Sequence, residues 1–395
     1  MDIRECRYGY IIKKKSLLPS KLTQIKKDLT LQPSFIQGYG FKPAPVVVYL
    51  ETKSEIKLPK IYAEKEVLSG CKFTKFDFKL QNENCNLKFN GSLRDEQVNV
   101  TELVIEKLKK TGRALLVGRP GFGKTACGLY VVSRLKCKTL IVVHKEFLME
   151  QWKSRIAQFI PSAKVDIIRG TVLPDGNSDI TIGMLQSISM KDYDRRIFEN
   201  YNTIIFDEVH HLGAFKFSQA FPKVSGRFTL GLSATPTRQD GLTSILDFNF
   251  GDFITTTNET IYNEKTIIKV LTNKTEYIER KIRFGGINFQ DLISQLVTDK
   301  LRNEMIINEI EKLLKLKYSV LVLSDRREHT VFLNDTLNKS GVKSGLYIGG
   351  MKKSERSQSE ECNVICGTYN MVSEGFDLPK LNALVMCCPK KMLYK

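Results

Sequence analysis

Apolar residues in this chain fall into two series of strand-length runs. The first comprises ALLV (114–117), TLIVV (139–143), ITIGM (180–184), TIIF (203–206) and FTLGLS (228–233). Consecutive apolar positions bury both faces of a strand, as in a parallel sheet covered by helices. Amphipathic stretches such as VTELVIEKLKK and KEFLMEQWKSRIAQF separate the runs and supply those helices. The second series comprises SVLVLS (319–324), GLYIG (345–349), NVICG (363–367) and ALVMC (383–387). A helix precedes it in which Met305, Ile306, Ile310, Leu313 and Leu314 share one face. The pattern predicts an α/β fold with two parallel-sheet lobes in tandem, over residues 91–250 and 291–395, joined by a polar linker region at 251–290. Residues 1–90 differ: QGYGFKPAP punctuates them and VVVYLET is β-like, which predicts a small α/β accessory domain.

Charge adds a class of partner. The chain has 395 residues and a formal net charge of +18, which favours polyanions such as nucleic acid or anionic membrane and otherwise serves solubility. No run approaches the ~18 apolar residues of a membrane helix, and the N-terminus has no apolar segment followed by a small-residue cleavage site. The nine cysteines are scattered, without two matched CxxC pairs. Cys362 and Cys366 have half-site spacing for a metal, but Cys366 ends the apolar run NVIC and reads as a strand residue. Reduced thiols and an intracellular location are expected, with nucleus, cytoplasm and virion left open.

Candidate chemistry begins at the end of the first run. Gly118, Arg119, Pro120, Gly121, Phe122, Gly123, Lys124 and Thr125 spell G-x-x-x-x-G-K-T directly after ALLV. The glycines let backbone N–H groups turn around phosphate oxygens, and the following helix presents its N-terminus to the anion. Lys124 reaches the β- and γ-phosphates of ATP, and Thr125 offers a hydroxyl to Mg²⁺. DEVHH follows TIIF. Asp207, at the carboxyl end of that strand, is expected to hold Mg²⁺, and Glu208 to orient or deprotonate the attacking water. His210 sits where a coupling residue could touch either that water or the next motif. Adjacent His210 and His211 share no face, which argues against zinc. SATP (233–236) then follows FTLGL.

A P-loop, an acidic pair after one strand and SAT after the next resemble the superfamily 2 helicases of the DExH kind, over about residues 91–388. The resemblance implies two RecA-like lobes, the second incomplete at its C-terminus. It implies that SLRDEQ reads adenine, through Gln97 with Arg94 in support. LIVVHKEFLMEQW and ITIGMLQSIS are similar to nucleic-acid-contacting motifs, the latter with Gln186 and Ser187 facing the backbone. VLVLSDRREH and VICGTYNMVSEGFDLP resemble second-lobe motifs in which Thr368 touches a strand phosphate while Gly375 and Asp377 approach ATP.

A finer match is to the XPB-like helicases, above all those of large DNA viruses, including the poxvirus transcript-release helicase. GLSATPTRQDG (231–241), DEVHH, SDRREH (324–329) and the N-terminal QGYG…VVVYLET…LPK series carry it. The resemblance implies a DNA substrate, with RNA or an RNA–DNA hybrid as alternatives, 3′-to-5′ movement, a DNA-contacting accessory domain, and transcription or replication machinery as partners. Oligomeric state stays open. The family carries Q-x-x-G-R-x-x-R, the source of its arginine fingers, after the last strand of the second lobe. ALVMCCPKKMLYK stops before it, so feeble turnover is expected of a chain ending there. The rival readings are a duplex translocase without strand separation, a split or degenerate module that binds ATP and nucleic acid, and another P-loop enzyme such as a kinase. SATP and motif V argue against the last.

Overall fold

The structure, a computed structural model, describes residues 2–33, 44–75, 85–209, 214–235, 237, 241–256, 275–281, 287–372, 376, 378 and 380–389. The chain divides into two compact units, Met1–Thr260 and Ile261–Lys395.

The first unit is built on a seven-stranded, wholly parallel sheet. Its order is Phe253–Thr255, Arg113–Val117, Phe228–Ser233, Thr203–Phe206, Thr139–Val143, Ile180–Met184 and Val165–Ile168. All five apolar runs predicted for this region are strands, and the four central ones are buried throughout. Alternate residues face opposite layers. Ala114 and Leu116, with Ile141, Ile205 and Leu230, pack against Leu108, Leu129, Val132 and Trp152. Those four lie on the helices Asp95–Thr111, Lys124–Leu135 and Glu146–Phe159. Leu115 and Val117, with Leu140, Ile204 and Phe206, belong to the other layer. There they join the helices Leu185–Met190, Ala214–Val224 and Ser244–Phe250.

The N-terminal residues carry an antiparallel sheet ordered Ile3–Glu5, Gly9–Lys13, Glu55–Pro59, Leu50–Glu51. Its core is continuous with that second layer. Tyr8 meets Phe221 edge-on with ring centroids 5.9 Å apart, and Tyr62 meets Phe248 at 5.2 Å. The buried Arg113 guanidinium ties the two sheets, donating to the carbonyls of Arg7 (2.7 Å) and Gly226 (3.1 Å).

The second unit holds a four-stranded parallel sheet ordered Ser344–Tyr347, Val364–Thr368, Val320–Ser324, Ala383–Met386. The helix Lys300–Lys315 supplies Ile306 and Ile310 to its core, as the apolar face predicts, and the helix Arg327–Lys339 adds Leu333 and Leu337. Cys366 lies inside its strand, where burial pushes the thiol up to about 12. The residues expected to form a linker region, 251–290, include the edge strand Phe253–Thr255 and the start of the helix Phe289–Thr298. Among the described residues no helix is long and apolar enough to cross a membrane.

Candidate active site

The strand Arg113–Val117 delivers the chain to a loop held at both ends. The Gly118 N–H donates to the carbonyl of Ser233 at 2.9 Å, so the loop starts against the SAT segment that ends the neighbouring strand. Gly121 and Gly123 adopt left-handed φ values of 76° and 88°, which cost an L-residue steric strain. Gly123 has a second constraint, because a Cβ there would stand 2.5 Å from Gln97 Nε2. Between the glycines, Phe122 turns its ring into the core and anchors the loop. The helix Lys124–Leu135 then begins, and its first residues aim their N–H groups back at the loop.

Lys124 Nζ donates to the Gly118 carbonyl at 3.0 Å and lies 3.9 Å from Glu208 Oε1. Asp207 is buried at the end of the strand Thr203–Phe206, with both carboxylate oxygens engaged. Oδ1 accepts from the Glu208 N–H at 3.0 Å, and Oδ2 accepts from the indole N–H of Trp152 at 2.7 Å. Burial pushes the Asp207 pKa upward, while the Trp152 hydrogen bond and the Lys124 charge oppose that push. Glu208 holds φ at 48°, the left-handed region. For a residue with a Cβ this conformation costs ~1–3 kcal/mol, of the kind concentrated at functional sites.

The adenine-reading residues expected from the sequence lie against this loop. Gln97 Nε2 donates to the Phe122 carbonyl at 2.6 Å, and its Oε1 accepts from the Arg94 N–H at 2.9 Å. The Arg94 guanidinium donates to the same carbonyl at 2.6 Å. Glu96 bridges Arg94 (3.2 Å) and Arg119 (3.7 Å). Arg94, Gln97 and the loop therefore form one hydrogen-bonded group.

The expected nucleic-acid contacts are more dispersed. Gln186 Nε2 donates to the His144 carbonyl at 2.7 Å, and Ser187 Oγ accepts from the Gly170 N–H at 2.9 Å. Both side chains thus brace the carboxyl ends of strands within the first unit. Thr368 ends the strand Val364–Thr368 of the second unit, beside Ser324. His210, Gly375 and Asp377 lie outside the described residues.

The contact of Trp152 with Asp207 is what sequence reasoning missed. Trp152 ends the segment LIVVHKEFLMEQW, read there only as nucleic-acid-contacting, and it stands 55 positions from Asp207. Among the described residues no group of three or more His, Cys, Asp or Glu side chains could hold a metal ion unaided. The donor set instead fits Mg²⁺ carried by a nucleotide: one carboxylate, Asp207, one hydroxyl, Thr125, and phosphate oxygens and water for the rest.

The parallel sheet, the glycine loop and the Asp207–Glu208 pair define a P-loop nucleoside triphosphatase. Residues 90–238 match the family described as type III restriction enzyme, res subunit. A protein of Acanthamoeba polyphaga mimivirus that carries the name of an ATP-dependent RNA helicase is 32% identical over 398 residues, covering 97% of this chain and 76% of its own. A protein of invertebrate iridescent virus 6 named as a helicase is 26% identical over 389 residues, covering 93% and 84%. Among solved structures, T4 UvsW aligns with a TM-score of 0.47 and 16% identity, covering 98% of this chain and 84% of its own; the sequence relationships alone carry the assignment. The chain belongs to the superfamily 2 helicases, of the type found in large DNA viruses. In this family ATP hydrolysis is coupled to helicase activity.

Proposed function

We propose that this chain is a DNA helicase or translocase that moves 3′ to 5′, driven by ATP that it hydrolyses with Mg²⁺. The observation that carries the ATP half is the convergence of Lys124, Glu208 and Asp207 beside the Gly118–Thr125 loop. In this reading Lys124 neutralises phosphate charge, Asp207 and Thr125 hold the metal, and Glu208 takes the proton of the attacking water. Bound Mg²⁺ supplies charge neutralisation at the phosphates. Gln97 and Arg94 read the adenine ring, while the roles of His210, Gly375 and Asp377 toward ATP rest on the family resemblance alone.

DNA as substrate, the 3′-to-5′ polarity and work beside transcription or replication machinery rest on the resemblance to the XPB-like group. The +18 charge supports a grip on the phosphate backbone, to which Gln186, Ser187 and Thr368 contribute. Nine free thiols suit a reducing compartment. RNA is the second reading, favoured by the RNA-helicase name of the mimivirus relative.

The test is steady-state ATP hydrolysis with no nucleic acid, with single- and double-stranded DNA, and with RNA, each with Mg²⁺ and with EDTA. Turnover stimulated by DNA and abolished by EDTA is expected. Stimulation by RNA alone would replace the DNA reading, and turnover indifferent to both would remove the motor reading.

A further inference from the structure

Trp152 lies on the helix Glu146–Phe159 and is fully buried. Its ring is wedged under the helix that follows the P-loop. A Cβ added at Gly128 would stand 3.3 Å from the indole Cη2, 3.4 Å from Leu232 and 3.6 Å from Ile205. One indole therefore packs against the P-loop helix along its edge and reaches Asp207 with its N–H, 2.7 Å from Oδ2. The second fixed point of the carboxylate is the Glu208 N–H on Oδ1, 3.0 Å away.

Two donors on two oxygens set the carboxylate plane, and each oxygen keeps further acceptor capacity. A single donor would leave the group free to rotate about its terminal torsion. An indole also cannot accept a hydrogen bond, so it never competes for the metal or its water.

We propose that Trp152 is a positioning residue of the nucleotide site, holding Asp207 so that the carboxylate meets Mg²⁺ and its water in one orientation. This rests on the Mg²⁺–ATP reading of the P-loop site. The indole is fully buried and acts only through Asp207. Partners of this kind, one bond removed from a metal, contribute about 10–100-fold in metal affinity or activity.

The full 395-residue chain provides the test, and its having one tryptophan makes the replacement specific. Trp152→Phe removes the N–H and part of the ring. A benzothienylalanine in place of Trp152 keeps the bicyclic shape, exchanges N–H for sulfur, and serves if the phenylalanine variant does not fold. Binding of ATPγS is measured by equilibrium dialysis in EDTA and across a Mg²⁺ titration, with thermal melting as the folding control. The expected result for the benzothienyl protein is an unchanged affinity in EDTA, a melting temperature near wild type, and a half-saturating Mg²⁺ concentration raised about 10-fold or more. An unchanged Mg²⁺ titration would overturn the role of the N–H, as would an equal loss of affinity with and without Mg²⁺, which marks a packing role. A wild-type chain whose ATPγS binding ignores Mg²⁺ would overturn the underlying site reading as well, so the two failures are distinct.

Discussion

The side-chain amide of Gln97 donates to the carbonyl oxygen of Phe122 at 2.6 Å, within the glycine loop itself. The hydrogen bond joins the first turn of the helix Asp95–Thr111 to the turn between Gly121 and Gly123, across 25 residues of sequence. A residue expected to read a base is thus also a brace for the glycine loop proposed to hold phosphates.

Those two roles separate by substrate. Gln97→Ala removes both side-chain hydrogen bonds, of about 1 kcal/mol each, so KM for ATP is expected to rise about 10-fold with a smaller change in kcat. If Gln97 reads adenine, KM for GTP rises less and the preference for ATP narrows. Steady-state kinetics with both nucleotides decides it, and equal increases would assign Gln97 to bracing alone.

At the phosphates, Lys124→Ala is expected to lower ATP turnover by ~100-fold or more, because the ammonium stabilises charge that builds up on the transferred group. Normal turnover in that variant would remove this loop as the engine. Glu208→Gln keeps the side-chain length and the left-handed backbone of Glu208, so stability should change little. Nucleotide binding should persist while hydrolysis falls ~100-fold, as for loss of a general base. A parallel loss of binding would make Glu208 a structural or metal-holding residue instead.

The layout of the first unit was legible because both faces of its sheet are buried. ALLV, TLIVV and TIIF read as strands from apolar continuity alone. The glycine loop was legible because its chemistry demands a local spacing. The edge strands Val165–Ile168 and Phe253–Thr255 were not, since half-exposed edges carry mixed composition. Contacts such as Trp152–Asp207 and Arg113–Arg7 link residues 55 and 106 positions apart, and no spacing rule encodes them. The polar residues Gln186 and Ser187 could be singled out by motif, but their partners, His144 and Gly170, could not.

The +18 charge bears on how nucleic acid is held. Binding through phosphates releases counterions, so the logarithm of affinity for single-stranded DNA should fall linearly with the logarithm of salt concentration, and sequence should matter little. Fluorescence anisotropy with labelled oligonucleotides of two unrelated sequences, from low to physiological salt, measures both. A flat salt response, or strong preference for one sequence, would contradict a backbone grip.

His329 in the second unit makes stability depend on pH. Ser324 Oγ lies 2.8 Å from His329 Nδ1, and His329 Nε2 lies 2.9 Å from Asn303 Oδ1, with all three residues buried. The amide oxygen of Asn303 can only accept, so the ring carries its proton on Nε2 and the Ser324 hydroxyl donates to Nδ1. This is a closed relay for a neutral imidazole. A serine, a histidine and an amide in line resemble a nucleophilic triad, but Ser324 is buried in the sheet, where its hydroxyl is closed to solvent. Burial, with the nearby Arg302 charge, pushes the His329 pKa down to about 4. The unfolded chain, with an ordinary histidine, therefore binds more protons than the folded chain between about pH 6.5 and about pH 4. The stabilisation is fully present above the upper value and is lost as pH falls through the lower one. At pH 5 it should already be reduced by about 2 kcal/mol relative to neutral pH. Urea unfolding followed by circular dichroism at pH 7.5 and pH 5, for wild type and His329→Gln, isolates this share from that of the carboxylates. The variant should be less stable at pH 7.5 and should lose less on acidification. Equal losses in the two proteins would show that His329 takes up its proton in the folded chain as readily as in the unfolded one.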